Sequence, residues 1–191
     1  MERQPTAGPA EGSFDYREIV ARCLNRPGFT RHWHAAARVP WLHHAERGLF
    51  KTSDGGNSWQ KILFINDRVG VIDLVMDPRR PDVLYAATYE KERRAWTFVE
   101  SGPGSAIYKS VDGGKTWRRL SKGLPAGAIG RIGLDIWLKN PDVLYAIVEN
   151  VNPRPKPEVK STDAVDLSKL SAALIGNEIF RSGDGGEQRK R

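Results

Sequence analysis

The stretch that decides the fold is Ser110–Trp117, which reads Ser-Val-Asp-Gly-Gly-Lys-Thr-Trp. A copy at Thr52–Trp59 reads Thr-Ser-Asp-Gly-Gly-Asn-Ser-Trp, and a shorter copy at Ser182–Glu187 reads Ser-Gly-Asp-Gly-Gly-Glu. The aspartate of the central copy follows that of the first by 58 residues and precedes that of the third by 72. Recurrence at such intervals indicates a protein assembled from repeated structural units.

Each copy is predicted to form a tight turn between two β-strands. Successive glycines after an aspartate favour a backbone with positive φ, which glycine adopts at little cost. The aspartate carboxylate can accept hydrogen bonds from N–H groups of its own turn, and the closing tryptophan can anchor the next strand by packing. We therefore predict structural roles for eight residues of the three copies: Asp54, Gly56, Trp59, Asp112, Gly114, Trp117, Asp184 and Gly186.

A second repeat is interleaved with the first. Pro81–Ala86 reads Pro-Asp-Val-Leu-Tyr-Ala and recurs unchanged at Pro141–Ala146, 60 residues later. The preceding stretch Val71–Leu74 aligns with Arg131–Leu134 at the same interval. The two repeats together predict a unit of four antiparallel strands at Val71–Asp77, Val83–Tyr89, Ala106–Val111 and Thr116–Leu120. A four-stranded unit of 50–60 residues has the size of a β-propeller blade, so the predicted fold is all-β.

The three Asp-Gly-Gly copies resemble the Asp-box, or BNR repeat. This repeat occurs in β-propellers of sialidases, xyloglucanase-type glycoside hydrolases, sortilin-type receptors and photosystem II assembly factors. The stretch Asp67–Glu149 looks most like the sortilin-like and BNR-like exported propellers of bacteria. The resemblance implies that the Asp-box turns lie at the outer rim, away from the ligand site. It implies a non-catalytic binding or scaffold module, or alternatively a fragment of a sialidase-like or xyloglucanase-like glycoside hydrolase.

The predicted strands amount to about two blades, whereas closed propellers contain about four to eight. Residues 47–63 supply the last hairpin of one blade, 70–122 a full blade, and 129–183 three strands of another. The expected product is a partial β-propeller with open blade faces. We therefore expect self-association, or the remaining blades of a parent protein, to complete it. A frameshift or truncation at both ends is one hypothesis, and a genuine short protein with a degenerate cap is the other.

The predicted domain plan places the Asp-box blades in residues 46–188. Residues 1–45 lack the repeat, so we expect an atypical N-terminal segment, poorly ordered or foreign to the propeller. Residues 151–173 are an insertion that explains the longer interval between the second and third copies, and its Ser161–Leu174 part can form a short helix. Residues 189–191 are a basic tail.

The bulk composition excludes several classes of protein. The net charge is +7, but lysine and arginine are scattered and form no nucleic-acid motif, so no nucleic-acid partner is expected. No apolar stretch has the length of a membrane span, and the single cysteine, Cys23, excludes an intrachain disulfide. The N-terminus lacks the pattern of a signal peptide, although the resembling families are mostly exported. The compartment therefore stays open.

The long connection of residues 90–105 is the best candidate for a binding site. It joins the second and third strands of the full blade, and in propellers such loops lie on the face that usually carries the site. Trp96 and Phe98 can stack on a sugar ring or a peptide side chain, and Arg93 and Arg94 can bind a carboxylate. The ligand class stays open between protein or peptide and carbohydrate. The alternative is a packing loop whose aromatic residues are buried against the next blade.

The sequence supplies no convincing catalytic or metal-binding set. His32, His34, His43 and His44 have spacings that can bind zinc, but no acidic or cysteine partner is placed with them, so we expect neither a metal nor another cofactor. The Arg-Ile-Pro signature of sialidases is absent. The candidate acids of a glycoside hydrolase would be Asp73, Glu100 and Asp135, and none of them lies in a recognisable motif.

Overall fold

The computed structural model describes residues 32–36, 47–53, 57–94, 96–155 and 174–187, with the main chain alone at 32–36, 93 and 94. The secondary structure of these residues is entirely β. In chain order the strands are β1 (His32–Ala36), β2 (Gly48–Thr52), β3 (Gln60–Leu63), β4 (Val69–Met76), β5 (Leu84–Glu90), β6 (Glu92–Arg94), β7 (Thr97–Val99), β8 (Ala106–Ser110), β9 (Arg118–Leu120), β10 (Ile129–Ile136), β11 (Leu144–Pro153) and β12 (Leu174–Ser182).

The strands form three larger antiparallel sheets and one hairpin. The first sheet has the order β1-β2-β3, the second β4-β5-β8-β9, and the third β10-β11-β12, while β6 and β7 pair with each other. The predicted four-stranded unit is confirmed as the second sheet, with β4 and β5 joined by a short turn and β8 and β9 by the central Asp-Gly-Gly turn. The third sheet has the three strands predicted for it.

Two elements were not predicted. Strand β1 pairs with β2 from His32↔Thr52 to Ala36↔Gly48, in a segment where the sequence carries no repeat. The hairpin of β6 and β7 lies inside the connection of residues 90–105. All three strands of these elements are short and lie outside the repeat pattern, so only pairing with a neighbouring strand reveals them.

The third sheet also extends further than expected. Strand β11 continues to Pro153, so the first three residues of the expected insertion belong to the sheet. The helix expected at Ser161–Leu174 falls outside the described residues except for Leu174, which begins β12. Residues 156–173 of the insertion and the basic tail at 189–191 also lie outside them.

The core consists of two layers, one on each side of the second sheet. Side chains of β5 alternate between the layers, as the two-residue period of a strand requires. Leu84 and Ala86 join Leu49 of the first sheet in one layer, whereas Tyr85 and Ala87 contact the third sheet in the other. The sheets are therefore stacked face to face, and the central sheet is covered on both faces.

The glycines of the repeated turns have the predicted conformation. Gly113 and Gly114 have φ of 69° and 82°, and Gly185 and Gly186 have φ of 68° and 87°. A side chain at these positions would strain the backbone, because L-residues rarely adopt positive φ. The second and third turns therefore share one backbone geometry, because each requires positive φ at two successive residues.

Candidate functional site

The antiparallel topology gives the stacked sheets two distinct edges. The second and third Asp-Gly-Gly turns lie at one edge, here called the turn edge, together with the turns at 77–83 and 137–143. The connections 64–68, 91–105 and 121–128 leave the opposite edge, here called the loop edge. Functional side chains can be sought separately at each edge.

At the turn edge, Asp112 is occupied by its own turn. Its carboxylate accepts hydrogen bonds from the Thr116 main-chain N–H and hydroxyl at 2.9 and 2.6 Å and from the Ser110 hydroxyl at 2.8 Å. These bonds, those of Thr116 above all, hold the pKa of Asp112 well below its usual range. Gly114 N–H donates to Ser110 Oγ at 2.8 Å, and Trp117 Nε1 donates to the Gly114 carbonyl at 3.2 Å.

The third turn repeats this arrangement. The Ser182 hydroxyl donates to Asp184 at 2.6 Å, and the Gly186 and Glu187 N–H groups donate to Ser182 Oγ and Asp184 at 2.8 and 3.0 Å. In the first turn, Asp54 and Gly56 lie outside the described residues, and Trp59 is half exposed. The carboxylates of the two described aspartates therefore accept hydrogen bonds within their own turns.

The loop edge carries the aromatic residues singled out in the sequence. Trp96 lies at the turn of the β6–β7 hairpin with 79% of its surface exposed, and Phe98 on β7 is 49% exposed. Neither is buried against a neighbouring sheet. Arg93 and Arg94 pair through their main chains with Phe98 and Thr97, and their side chains lie outside the described part of the molecule.

Charged and aromatic side chains surround the base of this hairpin. Lys91 Nζ lies 5.2 Å from the ring centre of Phe98 and 5.9 Å from that of Tyr89, distances at which an ammonium is attracted to a ring face. The same ammonium lies 3.9 Å from Glu100. We call Tyr89, Lys91, Trp96, Phe98 and Glu100 the hairpin cluster.

Tyr89 stays protonated throughout the ordinary pH range. Burial, followed by the negative charges of Glu100 and Glu149, raises the pKa of its phenol to about 12. The phenol therefore remains a hydrogen-bond donor at neutral pH. Sequence reading missed Tyr89 and Lys91, because neither belongs to a motif and only the folded hairpin brings the Lys91 ammonium near the rings of Tyr89 and Phe98.

The hairpin is held on a close-packed base. The Gly102 N–H donates to the Ile129 carbonyl at 3.1 Å, and the Gly104 N–H donates to Glu90 Oε2 at 2.8 Å. The Thr88 hydroxyl donates to the Gly104 carbonyl at 2.7 Å. A Cβ at Gly104 would lie 2.3 Å from a methyl group of Val69, so glycine is required there by the close approach of β4.

Arg47 fastens the same edge from the first sheet. Its guanidinium donates to the carbonyls of Arg68 and Lys91, the latter at 2.9 Å, although the residue is almost fully buried. Burial lowers the pKa of this arginine, and the nearby charges of Asp67 and Glu92 oppose that shift. Arg47 thus ties the start of β2 to the chain on either side of β4 and β5.

The acidic residues considered for catalysis have structural contacts. Asp73 accepts hydrogen bonds from the main-chain N–H groups of Leu74 and Leu134 at 2.9 and 2.8 Å, the latter on the neighbouring sheet. Asp135 accepts one from Ile136 at 2.9 Å.

Within the described residues no three histidine, cysteine, aspartate or glutamate side chains are grouped to hold a metal ion. Those residues also include no helix long and apolar enough to cross a membrane.

Comparisons with known proteins cover only part of any relative. No family model matches the chain. Over 47 residues the chain is 38% identical to Chitinase A1 of Niallia circulans, a match that covers 25% of this chain and 7% of that protein. Among solved structures, a GH74 xyloglucanase from Xanthomonas campestris aligns at 14% identity with a TM-score of 0.30, over 84% of this chain and 28% of that one. The chain thus spans less than a third of either protein.

Proposed function

We propose that this chain is a non-catalytic binding module of the BNR and sortilin-like type, a segment of a β-propeller that self-association or a parent protein completes. Residues 46–188 would form its blades. The support is the stack of three antiparallel sheets that repeats the same strand and turn sequences. The loop edge lies at the ends of the strands, so it stays available as a binding surface whether or not further sheets pack on the stack.

The observation that carries the binding role is the exposure of Trp96. Trp96 and Phe98, two residues apart on the hairpin, leave 79% and 49% of their surfaces exposed, and neighbouring exposed apolar side chains of this kind are typical of an interaction site. An indole offers a flat apolar surface that stacks on a sugar ring or an apolar peptide side chain, and its N–H offers one hydrogen bond. The Lys91–Glu100 pair at the base of the same hairpin adds one charge of each sign for polar groups of the ligand.

The absence of catalysis is supported by how the carboxylates are used. Asp73, Asp112 and Asp184 accept hydrogen bonds from main-chain N–H groups of the sheets and turns. A glycosidase needs two carboxyl groups facing one cleft, with one available as an acid. In the described part of the chain, these three carboxylates instead hold main-chain N–H groups of the sheets and turns.

The binding proposal is tested on the full chain with two classes of probe. Chitin and xyloglucan oligosaccharides represent carbohydrates, and a displayed library of random peptides represents protein ligands. We expect one class to bind and Trp96→Ala to weaken that binding about tenfold, the effect of losing one stacking contact. Trp137→Ala is the matched control, because Trp137 is an exposed tryptophan as well, at 49%, but lies at the turn edge.

Equal loss of binding in the two variants, or binding by neither class, would contradict the proposal. The far-UV circular dichroism spectrum of each variant must match that of the parent chain, which shows that the fold is unchanged. Saturation by an oligosaccharide alone would select carbohydrate as the ligand, and enrichment of peptides alone would select protein.

A second candidate is a fragment of a glycoside hydrolase. The observation that favours it is that the negative charges of Glu100 and Glu149 both raise the pKa of Tyr89, so two carboxylates lie near one phenol, although Glu149 also accepts the Arg131 N–H at 2.9 Å. This candidate predicts slow hydrolysis of chitin or xyloglucan oligosaccharides that Glu100→Gln abolishes. Binding without any product would exclude it in favour of the non-catalytic module.

A further inference from the structure

On its outer face the third sheet exposes an apolar patch formed by β11 and β12, whereas the equivalent residues of the second sheet are buried. Tyr145, Ile147 and Ile179 are 41%, 49% and 66% exposed. Their equivalents one repeat earlier are almost completely buried, at 1%, 0% and 0%, and these are Tyr85, Ala87 and Ile107. The same strand positions are therefore buried where a further sheet follows and exposed where the described residues contain no further sheet.

The contacts that cover the second sheet show what kind of surface fits this position. Tyr85 and Lys109 both donate to the Gly185 carbonyl in the third turn, at 2.8 and 2.7 Å. One sheet earlier, Lys51 donates to the Gly113 carbonyl in the second turn at 2.9 Å. On the first and second sheets, a basic side chain thus reaches a turn of the next sheet. The equivalent basic residue on the third sheet is Arg181.

The first sheet presents the complementary face. Phe180 of the third sheet and Tyr108 of the second pack against the preceding sheet, and Phe50 of the first sheet is their equivalent by the repeat. Trp117 packs in the same way, and its equivalent is Trp59, which is 46% exposed. The chain therefore carries both halves of the contact that joins its own sheets, on opposite ends of the stack.

We propose that two copies of this chain associate head to tail, the third sheet of each covering the first sheet of the other. Tyr145, Ile147 and Ile179 would pack against Phe50 and Trp59, and Arg181 would donate to the β2–β3 hairpin of the second copy. The contact joins two different surfaces, and such heterologous contacts close into a ring or extend into a filament. Two copies supply six of the larger, three- or four-stranded sheets. Closed propellers contain about four to eight blades, so six lie within that range.

This association goes beyond the ligand-binding proposal, because its surfaces are sheet faces and the hairpin cluster lies at the loop edge. Sedimentation velocity of the full chain should give a mass twice the 21.4 kDa of one copy, with a constant stoichiometry as concentration rises. Ile179→Asp places a charge in the centre of the contact and should weaken self-association at least about 30-fold. Val111→Asp is the matched control, since Val111 is 63% exposed and lies in the second turn.

Mixing two variants distinguishes head-to-tail association from pairing of like faces. Trp59→Asp alone should also yield monomers, because it alters the opposite face. A mixture of Ile179→Asp and Trp59→Asp copies retains one intact contact, so it should form heterodimers that neither variant forms by itself. A monomeric parent chain, or a dimer that Trp59→Asp leaves intact, would overturn the proposal. The oligosaccharide and peptide measurements report on the loop edge separately.

Discussion

The hydroxyl of Tyr85 donates a hydrogen bond of 2.8 Å to the carbonyl of Gly185, 100 residues further along the chain. This contact joins the centre of the second sheet to the turn of the third. Gly185 also accepts from Lys109 Nζ at 2.7 Å, so one turn carbonyl receives two donors from the neighbouring sheet. Burial raises the pKa of Tyr85 to about 12, which keeps the donor protonated.

Removal of this hydroxyl should reduce stability without disturbing the packing. Tyr85→Phe keeps the ring and leaves Gly185 with its bond from Lys109, so we expect a loss of about 1 kcal/mol in the free energy of unfolding. Urea denaturation measures it. Tyr145→Phe is the control and should change stability by less than about 0.5 kcal/mol. Both variants are made in the Ile179→Asp background, so that a second copy does not cover the Tyr145 side chain. Equal effects would show that the bond between sheets contributes nothing.

Ser110→Ala should destabilise the second turn. The Ser110 side chain is buried and accepts the Gly114 N–H at 2.8 Å, so its loss leaves a buried donor unsatisfied at a cost of about 1–3 kcal/mol. Thermal unfolding followed by circular dichroism measures the change. Ser121→Ala, at an exposed position of the chain, should leave the melting temperature nearly unchanged. A similar shift in both variants would contradict a special role for the turn serine.

Asp77 should make stability depend on acidic pH. Burial alone raises its pKa, but hydrogen bonds from the Arg80 side chain and the Arg79 N–H outweigh that effect and lower it below its usual value. A lowered pKa in the folded state adds stability that is present above the unfolded value of 3.8 and is lost as pH falls through the folded value. Asp77→Asn should therefore be less stable at pH 7, by about 1 kcal/mol.

The difference between Asp77→Asn and the parent should shrink as pH falls below about 4. Urea midpoints measured from pH 7 to pH 2 follow this convergence. Asp135→Asn serves as the control, because that carboxylate is exposed and bonds only locally to Ile136. A gap that persists at pH 2 would show that Asp77 acts through packing rather than through its charge.

Gly104→Ala should loosen the base of the hairpin cluster. The added methyl group would lie 2.3 Å from buried Val69, and overpacking of this kind costs about 1–3 kcal/mol. We expect lower stability together with faster proteolysis at residues 91–105. Gly183→Ala has open space around its Cβ, the nearest atom being 3.8 Å away on Arg181, and should be tolerated. Intact protection of the loop in Gly104→Ala would contradict the required close approach.

Local sequence was sufficient to predict much of the fold. The Asp-Gly-Gly turns could be identified because positive φ at Gly113 and Gly185 is a requirement of the backbone itself. The strands of the second sheet could be placed because alternation and turn residues repeat at a fixed interval. The position of Trp96 and Phe98 at the loop edge follows from the connection that holds them, which joins the second and third strands of the blade, and their role in binding stays a prediction.

The remaining features depend on contacts between distant parts of the chain. Strand β1 exists because it pairs with β2, and its own residues, His32–Ala36, carry no repeat. The pairing of Lys91 with Glu100 and its approach to Tyr89 arise only when the hairpin of β6 and β7 forms. Nothing in the order of residues from 89 to 100 specifies those distances.

The clearest division between sequence and tertiary structure lies in the repeated hexapeptide. Pro81–Ala86 and Pro141–Ala146 are identical, and both form the same turn and the same start of a strand. Yet Tyr85 is buried and Tyr145 is 41% exposed. The sequence by itself determined the local backbone, because φ preferences and strand periodicity act within a few residues. Only the tertiary structure decided burial, because a side chain loses its water when another sheet packs on it.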